Sequence, residues 1–323
     1  MGKYIKIYKR PRLKNPILIA AWPGMGDVAI KAALYLKDKL KAVEFADFLS
    51  QEYFSPSSVW VEEGVVGVPT RPVGKFYFYK SSEGARDIII FISDAQPLID
   101  RGYEYASQVI DFAKYLKVNL VYTFAAMPLP IEFGQTSKVH AVATKKEILD
   151  EFTKKGIKAM PTGQISGLNG LVLGVARECQ MDGVCLLGEI PLYTIQVENP
   201  FASVAILSVL ADVLRIKLDL SGLLKHAHQM SQEIEGLIDY LKNPSEEEKP
   251  IDQKEIDRLK KGLSNASALP VSVAKRIHEL FQIARKDCSK ACDLKKELDK
   301  WNVYEQYEDS FLDLFKKCPK TDN

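Results

Sequence analysis

Apolar residues follow two rhythms along this chain. Residues 17–22, Ile-Leu-Ile-Ala-Ala-Trp, form an unbroken apolar run between Pro16 and Pro23. That length and composition suit a strand covered on both faces. The rhythm then changes. Val28, Ala32, Leu36 and Leu40 recur every fourth residue, with Lys31, Asp38 and Lys39 between them, and predict a helix. The same reading places strands at 41–48, 76–79, 87–93, 119–124, 140–144 and 183–187. It places helices at 103–116, 145–155 and 171–179, and a turn at the proline-rich segment 127–130. Continuous apolar strands alternating with helices predict an α/β fold: a three-layer α/β/α sandwich with a mostly parallel sheet.

After residue 220 the pattern is helical. Leu220, Ala227, Ile234 and Leu241 repeat every seven residues, interleaved with Leu223, Met230 and Leu237. This a/d seam suits a helix packed on a bundle or on the body of the protein, or one pairing between subunits. Ile256, Leu259 and Leu263 suggest a further helix. So do Val273, Ile277, Leu280, Phe281 and Ala284, and again Leu294, Leu298, Trp301, Phe311 and Phe315. The last 82 positions carry 33 of the 86 charged residues, and the stretch 243–250, bounded by Pro244 and Pro250, reads as a linker. The expected organisation is an α/β/α domain over 1–225 and a C-terminal helical extension over 226–323.

Charge removes some classes of function. Forty-four basic and 42 acidic residues give a net charge of +2, without the basic excess expected for a nucleic-acid partner. No run approaches the ~20 apolar residues needed to span a bilayer, and residues 1–16 hold no apolar signal core. An odd number of cysteines, Cys179, Cys185, Cys288, Cys292 and Cys318, suits reduced thiols and a cytoplasmic location.

Candidate chemistry lies in two glycine-rich turns. Gly24-x-Gly26-x-x-Ala29 follows a strand and opens a helix, as in dinucleotide-binding turns, and Glu44 stands about 20 residues on. Asp27, however, would meet a bound phosphate at the helix start, where its carboxylate suits a capping role. The second turn, 163–174, offers backbone N–H groups with Ser166, Gly167, Asn169 and Gly170 for an anion. Close packing of Gly170 and Gly174 on a neighbour explains it equally well. No Lys-Ser or Lys-Thr follows, so it is not a Walker loop. The ligand candidates are therefore Gly24, Gly26, Ser166, Gly167, Asn169 and Gly170. Strand ends carry Asp94, Gln96, Glu189 and Tyr193. Asp94 with Glu189 could form an acid–base pair in a hydrolase or phosphorylase-like enzyme acting on a small ligand. Four scattered histidines and a Cys288-Ser-Lys-Ala-Cys292 spacing do not make a zinc site, so neither a metal nor a cofactor is expected.

Three segments together resemble the proteasome assembly chaperone family, type 2 branch, in its prokaryotic members. They are Ala21-Trp-Pro-Gly-Met-Gly-Asp-Val28, Ile165-Ser-Gly-Leu-Asn-Gly-Leu-Val-Leu-Gly174, and Gly188-Glu-Ile-Pro-Leu-Tyr193 with Asn199-Pro-Phe-Ala-Ser-Val204. The resemblance implies a phosphorylase/hydrolase-like α/β/α fold, self-assembly into a homo-oligomer, and a non-enzymatic role binding protein partners such as proteasome α-type subunits. It supplies no catalytic residue. The sequence ends Cys318-Pro-Lys-Thr-Asp-Asn323, without the hydrophobic-Tyr-any ending of proteasome-docking tails, so docking through that tail is not expected.

Overall fold

The computed structural model describes residues 4–49, 51–54, 59, 61–68, 72–81, 86–242, 271–286 and 290–300, together with 304, 307–308, 311–312 and 314. The linker expected at 243–250, the helix around Ile256, Leu259 and Leu263, and Cys288, Trp301, Phe315 and 318–323 lie outside them. The chain divides into two compact units, 1–191 with 196–232, and 192–195 with 233–323.

The first unit is built on a nine-stranded sheet. In chain order its elements begin with β1 (Ile5–Ile7), β2 (Ile17–Ala21), α1 (Val28–Lys39) and β3 (Val43–Phe48). A separate small hairpin, β4 (Val61–Glu62) and β5 (Val65–Val66), comes next. Then follow β6 (Gly74–Tyr79), β7 (Ile88–Ser93), α2 (Gly102–Tyr115), β8 (Leu120–Leu129), β9 (Val139–Ala143), α3 (Lys146–Lys154) and β10 (Lys158–Ala159). The unit closes with α4 (Leu168–Glu178), β11 (Asp182–Pro191) and α5 (Pro200–Leu214). Helix α6 (Ser221–Lys242) starts in this unit.

The sheet order is β1-β3-β6-β7-β2-β8-β11-β9-β10. The parallel sheet expected from the sequence is its centre, where β7, β2, β8 and β11 run alongside one another. Antiparallel ladders β1–β3, β3–β6, β6–β7 and β9–β11 flank it, so the sheet as a whole is mixed. The reason lies in chain length: only the longer, helix-containing crossovers return a strand parallel, while β6 passes directly into β7.

Helices cover both faces. α1 packs with α5 on one face and α2 with α4 on the other. Residues 17–21 are all buried, as a strand between two helical layers requires. The layer under α2 and α4 is aromatic, with Trp22, Phe45, Phe48, Phe76, Phe91, Tyr105 and Phe112 in one cluster. Phe48 and Tyr105 meet edge-on at 4.8 Å between ring centres. Such contacts add about 0.5–1.5 kcal/mol each beyond area burial.

Three local expectations are corrected. The segment 127–130 is not a turn: β8 continues through it, paired with β11 as far as Leu129 and Pro191. Strand β2 pairs with β8 only as far as Thr123. Pro128 therefore removes no donor from a ladder on that side. Helix α4 starts at Leu168, not 171, which places Asn169 and Gly170 in its first turn. Asp27 does not cap α1 with its side chain. Its backbone, like that of Gly26, is left-handed (φ 48° and 61°), and no capping bond forms. Asp is among the few L residues that tolerate this conformation, so its role here is in the backbone.

The second unit has its own core. On α7 (Val271–Lys286) and α8 (Ala291–Lys300), Ile277, Leu280, Phe281 and Ala284 cluster with Ala291, Leu294 and Leu298, joined by Phe311 and Leu314.

Candidate functional site

The three sequence signatures converge at the carboxyl ends of the central strands. Trp22 closes β2 and is fully buried. Its backbone is gripped by one side chain: the Trp22 N–H donates to Asn169 Oδ1 (3.0 Å), and Asn169 Nδ2 donates to the Trp22 carbonyl (3.1 Å). Asn169 is only 4% exposed, so these bonds form away from water, where an unmade one is costly.

Gln96 makes a second bridge. Its Nε2 donates to the Pro23 carbonyl (2.7 Å), and its Oε1 accepts the Leu168 N–H (3.0 Å). The side chain thereby caps α4 from another element, which is why the helix begins earlier than its apolar spacing suggests. Gly167 has φ +70°, and a Cβ there would fall 3.0 Å from Gln96. Gly170 faces its own approach loop, where a Cβ would meet the Ile165 carbonyl at 2.3 Å. Gly174, by contrast, has open space around it, so the expected pairing of Gly170 and Gly174 against a neighbouring element does not occur.

The third signature closes the node from the α5 face. The Asn199 N–H donates to the Gly26 carbonyl (2.8 Å), and Asn199 Oδ1 accepts from Ala202 N at the start of α5 (3.3 Å). Ser203 Oγ donates to the Val28 carbonyl (3.1 Å). A Cβ on Gly188 would sit 2.8 Å from that of Ala202, and one on Gly26 would sit 3.3 Å from Asn199. The candidates Gly24, Gly26, Gly167, Asn169 and Gly170 thus lie in one cluster. Its amide and helix-end groups bond to the chain itself. Ser166, half-buried, precedes it by one residue.

The two candidate carboxylates are not brought together. Asp94 follows β7 and Glu189 lies in β11, with β2 and β8 between them. Three strand spacings of about 4.8 Å separate their strands by roughly 14 Å. Asp94 is exposed and accepts from Val73 N (3.2 Å). Glu189 Oε1 lies 2.8 Å from His140 Nε2, with both side chains nearly buried. His140 went unread in the sequence because 49 residues separate the pair. His140 Nδ1 is buried without a hydrogen-bond partner among the described residues. Glu44, the acid expected of a dinucleotide fold, is separated from β2 by β6 and β7 and pairs with Lys75 at 3.1 Å. Glu44 therefore does not stand beside the strand that carries Gly24 and Gly26, as an acid of a dinucleotide fold would. Among the described residues, no group of three or more His, Cys, Asp or Glu could hold a metal ion. No described helix is long and apolar enough to cross a membrane.

The outer surface carries a different feature. On and beside the β4–β5 hairpin, Val61, Val65, Val66 and Val68 are 59%, 70%, 65% and 84% exposed. These four valines in eight residues are open to water: Val61 and Val66 pair across the hairpin on one face, and Val65 lies on the other. Exposed apolar residues of this kind are associated with protein docking. At the α2 entrance, Ile99 and Tyr103 are also exposed.

A family model described as the PAC2 family matches residues 18–238. An uncharacterized protein of Methanocaldococcus jannaschii is 27% identical over 227 residues, which are 70% of this chain and 84% of the relative. Among solved structures, Pyrococcus furiosus PbaB, an archaeal proteasome activator, matches with a TM-score of 0.63 and 26% identity, covering 72% of this chain and 97% of that one. Pyrococcus furiosus PbaA, an archaeal homolog of proteasome-assembly chaperone, matches with a TM-score of 0.56 and 25% identity, covering 72% and 96%.

Proposed function

The chain belongs to the PAC2 family, and from that membership we propose that it acts as an assembly-chaperone-like, non-enzymatic protein of the cytoplasm. It binds protein partners as a homo-oligomer, proteasome α-type subunits among them. The observation that carries this reading is the group of exposed valines on and beside the β4–β5 hairpin, Val61, Val65, Val66 and Val68. Apolar side chains held in water gain free energy when a partner covers them, at about 25 cal/mol per Å². The relatives PbaB, a proteasome activator, and PbaA, a homolog of proteasome-assembly chaperone, support the same class of partner. The alternative, a small-ligand hydrolase at the strand ends, loses its acid–base pair because Asp94 and Glu189 lie on strands three spacings apart.

The test uses the full chain and recombinant proteasome α-subunits of the same organism. Native mass spectrometry reads the complex for the wild type and for a Val65→Lys, Val66→Lys double variant. A complex with the wild type, weakened at least ~10-fold in the variant while melting temperature holds, supports the proposal. No complex with α-subunits, or equal binding by the variant, overturns it.

A further inference from the structure

The opposite edge of the sheet, where β8 and β11 begin, holds a cavity of about 300 Å³. That is the lower end of the range for small-molecule sites. The ends of the strands form one side, and Phe152 of α3 with Val213 of α5 give it an apolar wall. Its polar groups are Arg86, Asn119, Tyr122, Glu151, Lys155 and Asp182.

Two of these charges are already neutralised. Lys145 Nζ lies 2.6 Å from Asp182 Oδ1, and Lys155 Nζ lies 2.6 Å from Asp212 Oδ2. Arg86 differs. Its guanidinium donates only to neutral oxygens, the Asn15 carbonyl and Asn119 Oδ1, and no carboxylate among the described residues pairs with it. Burial lowers its pKa, which marks a cation partly stripped of water. The Asp182 carboxylate of the same cavity acts on this cation from a distance, and an anion in direct contact would add a charge-assisted bond. Tyr122, 3% exposed, lines the same cavity. Burial pushes this phenol up to about 12, so it stays a donor throughout the physiological range. A guanidinium and a phenolic donor lining one cavity, with no carboxylate among the described residues in salt-bridge contact with the guanidinium, suit a carboxylate. Glu151, at the exposed rim, has no cationic partner among the described residues and would repel a simple anion.

We propose that this cavity binds a small zwitterion of the free amino acid class, its carboxylate on Arg86 and Tyr122 and its ammonium toward Glu151. Both unpaired charges of the cavity are then matched by one ligand, and apolar side chains of the ligand face Phe152 and Val213.

Isothermal titration of the full chain with the standard free amino acids tests this directly, with the N-acetyl and amide forms of any binder as controls. Saturable binding is expected for at least one amino acid. It should weaken about tenfold or more when the amine is acetylated, when the carboxylate is amidated, and in each of Arg86→Gln, Tyr122→Phe and Glu151→Gln. Glu151 is exposed, so Glu151→Gln reports on binding even if Arg86→Gln fails to fold. Absence of saturable binding at millimolar concentrations overturns the proposal. So does an affinity unchanged in Glu151→Gln, or acetylated and free forms binding alike.

Discussion

Asn169→Ala removes the side chain that holds the Trp22 backbone from both sides. Asn169 is 4% exposed and Trp22 is fully buried, so the freed Trp22 N–H and carbonyl find little water. Each buried group left without a partner costs about 1–3 kcal/mol. Two such groups give about 2–6 kcal/mol, and partial relaxation of the node places the expected loss near 3 kcal/mol. Equilibrium urea unfolding followed by Trp fluorescence measures it, with the slope of the transition compared between variants. Asn169→Asp refines the test. It keeps an acceptor for the Trp22 N–H but turns a carboxylate oxygen toward the Trp22 carbonyl. Only the protonated acid can donate there, so the folded-state pKa of the introduced Asp is raised. Its stability relative to wild type is then best below the unfolded value near 4 and falls as pH rises above it. An Asn169→Ala cost below about 1 kcal/mol would refute the reasoning, because the clasp would then contribute no more than an ordinary surface bond.

Glycines separate packing from backbone freedom. Gly188→Ala drives a Cβ to 3.0 Å from the Ala202 carbonyl oxygen, and overpacking of this kind should cost about 1–3 kcal/mol in urea unfolding. Gly174→Ala meets nothing within 4 Å inside α4 and should stabilise by about 0.5–1 kcal/mol in the same assay. Alkaline stability follows from two buried groups. Burial raises the Cys185 thiol from 9.0 to about 12 and the Tyr122 phenol from 10.0 to about 12. Both must stay protonated in the fold, so their stabilisation is complete below the unfolded values and is lost as pH rises toward the folded ones. The unfolding free energy from urea titration should therefore drop above about pH 9, by at most ~1.4 kcal/mol per pH unit per group, and Tyr122→Phe should flatten the limb above pH 10. In native labelling at pH 8 read by peptide mapping, exposed Cys292 should react with iodoacetamide, and buried Cys185 should not.

The elements legible in the sequence are those whose burial is local. Residues 17–21 and 88–93 are apolar without interruption because helices cover both faces, and α1 shows its four-residue period because only one of its sides meets the sheet. What escaped the sequence depends on partners far along the chain. Strands β8 and β11 run through their prolines because each extends the other. Helix α4 begins at Leu168 because Gln96, 72 residues earlier, accepts its first N–H. The glycine signatures were visible as motifs, but Trp22 and Asn169 lie 147 residues apart, and no spacing rule joins them. Glu189 was visible as a strand-end acid. Its partner was not, because β9 enters the sheet antiparallel on the far side of β11 and delivers His140 from an unrelated stretch.

The clasp also explains why glycine-rich turns at strand ends need not mean ligand chemistry here. In open α/β sheets the carboxyl edge binds ligands because strand ends and helix starts leave N–H groups free there. In this chain several of those groups are occupied from within: the Trp22 N–H by Asn169, the Leu168 N–H by Gln96, and Ala202 N by Asn199. Helices α4 and α5 start at this node but cover opposite faces of the sheet, so it ties both helical layers to the end of β2. Loosening it should expose both faces together. Hydrogen exchange on Asn169→Ala should therefore show faster exchange in α5 as well as in α4. Faster exchange confined to α4 would mean that the two layers are anchored separately and that the node is two local turns rather than one clasp.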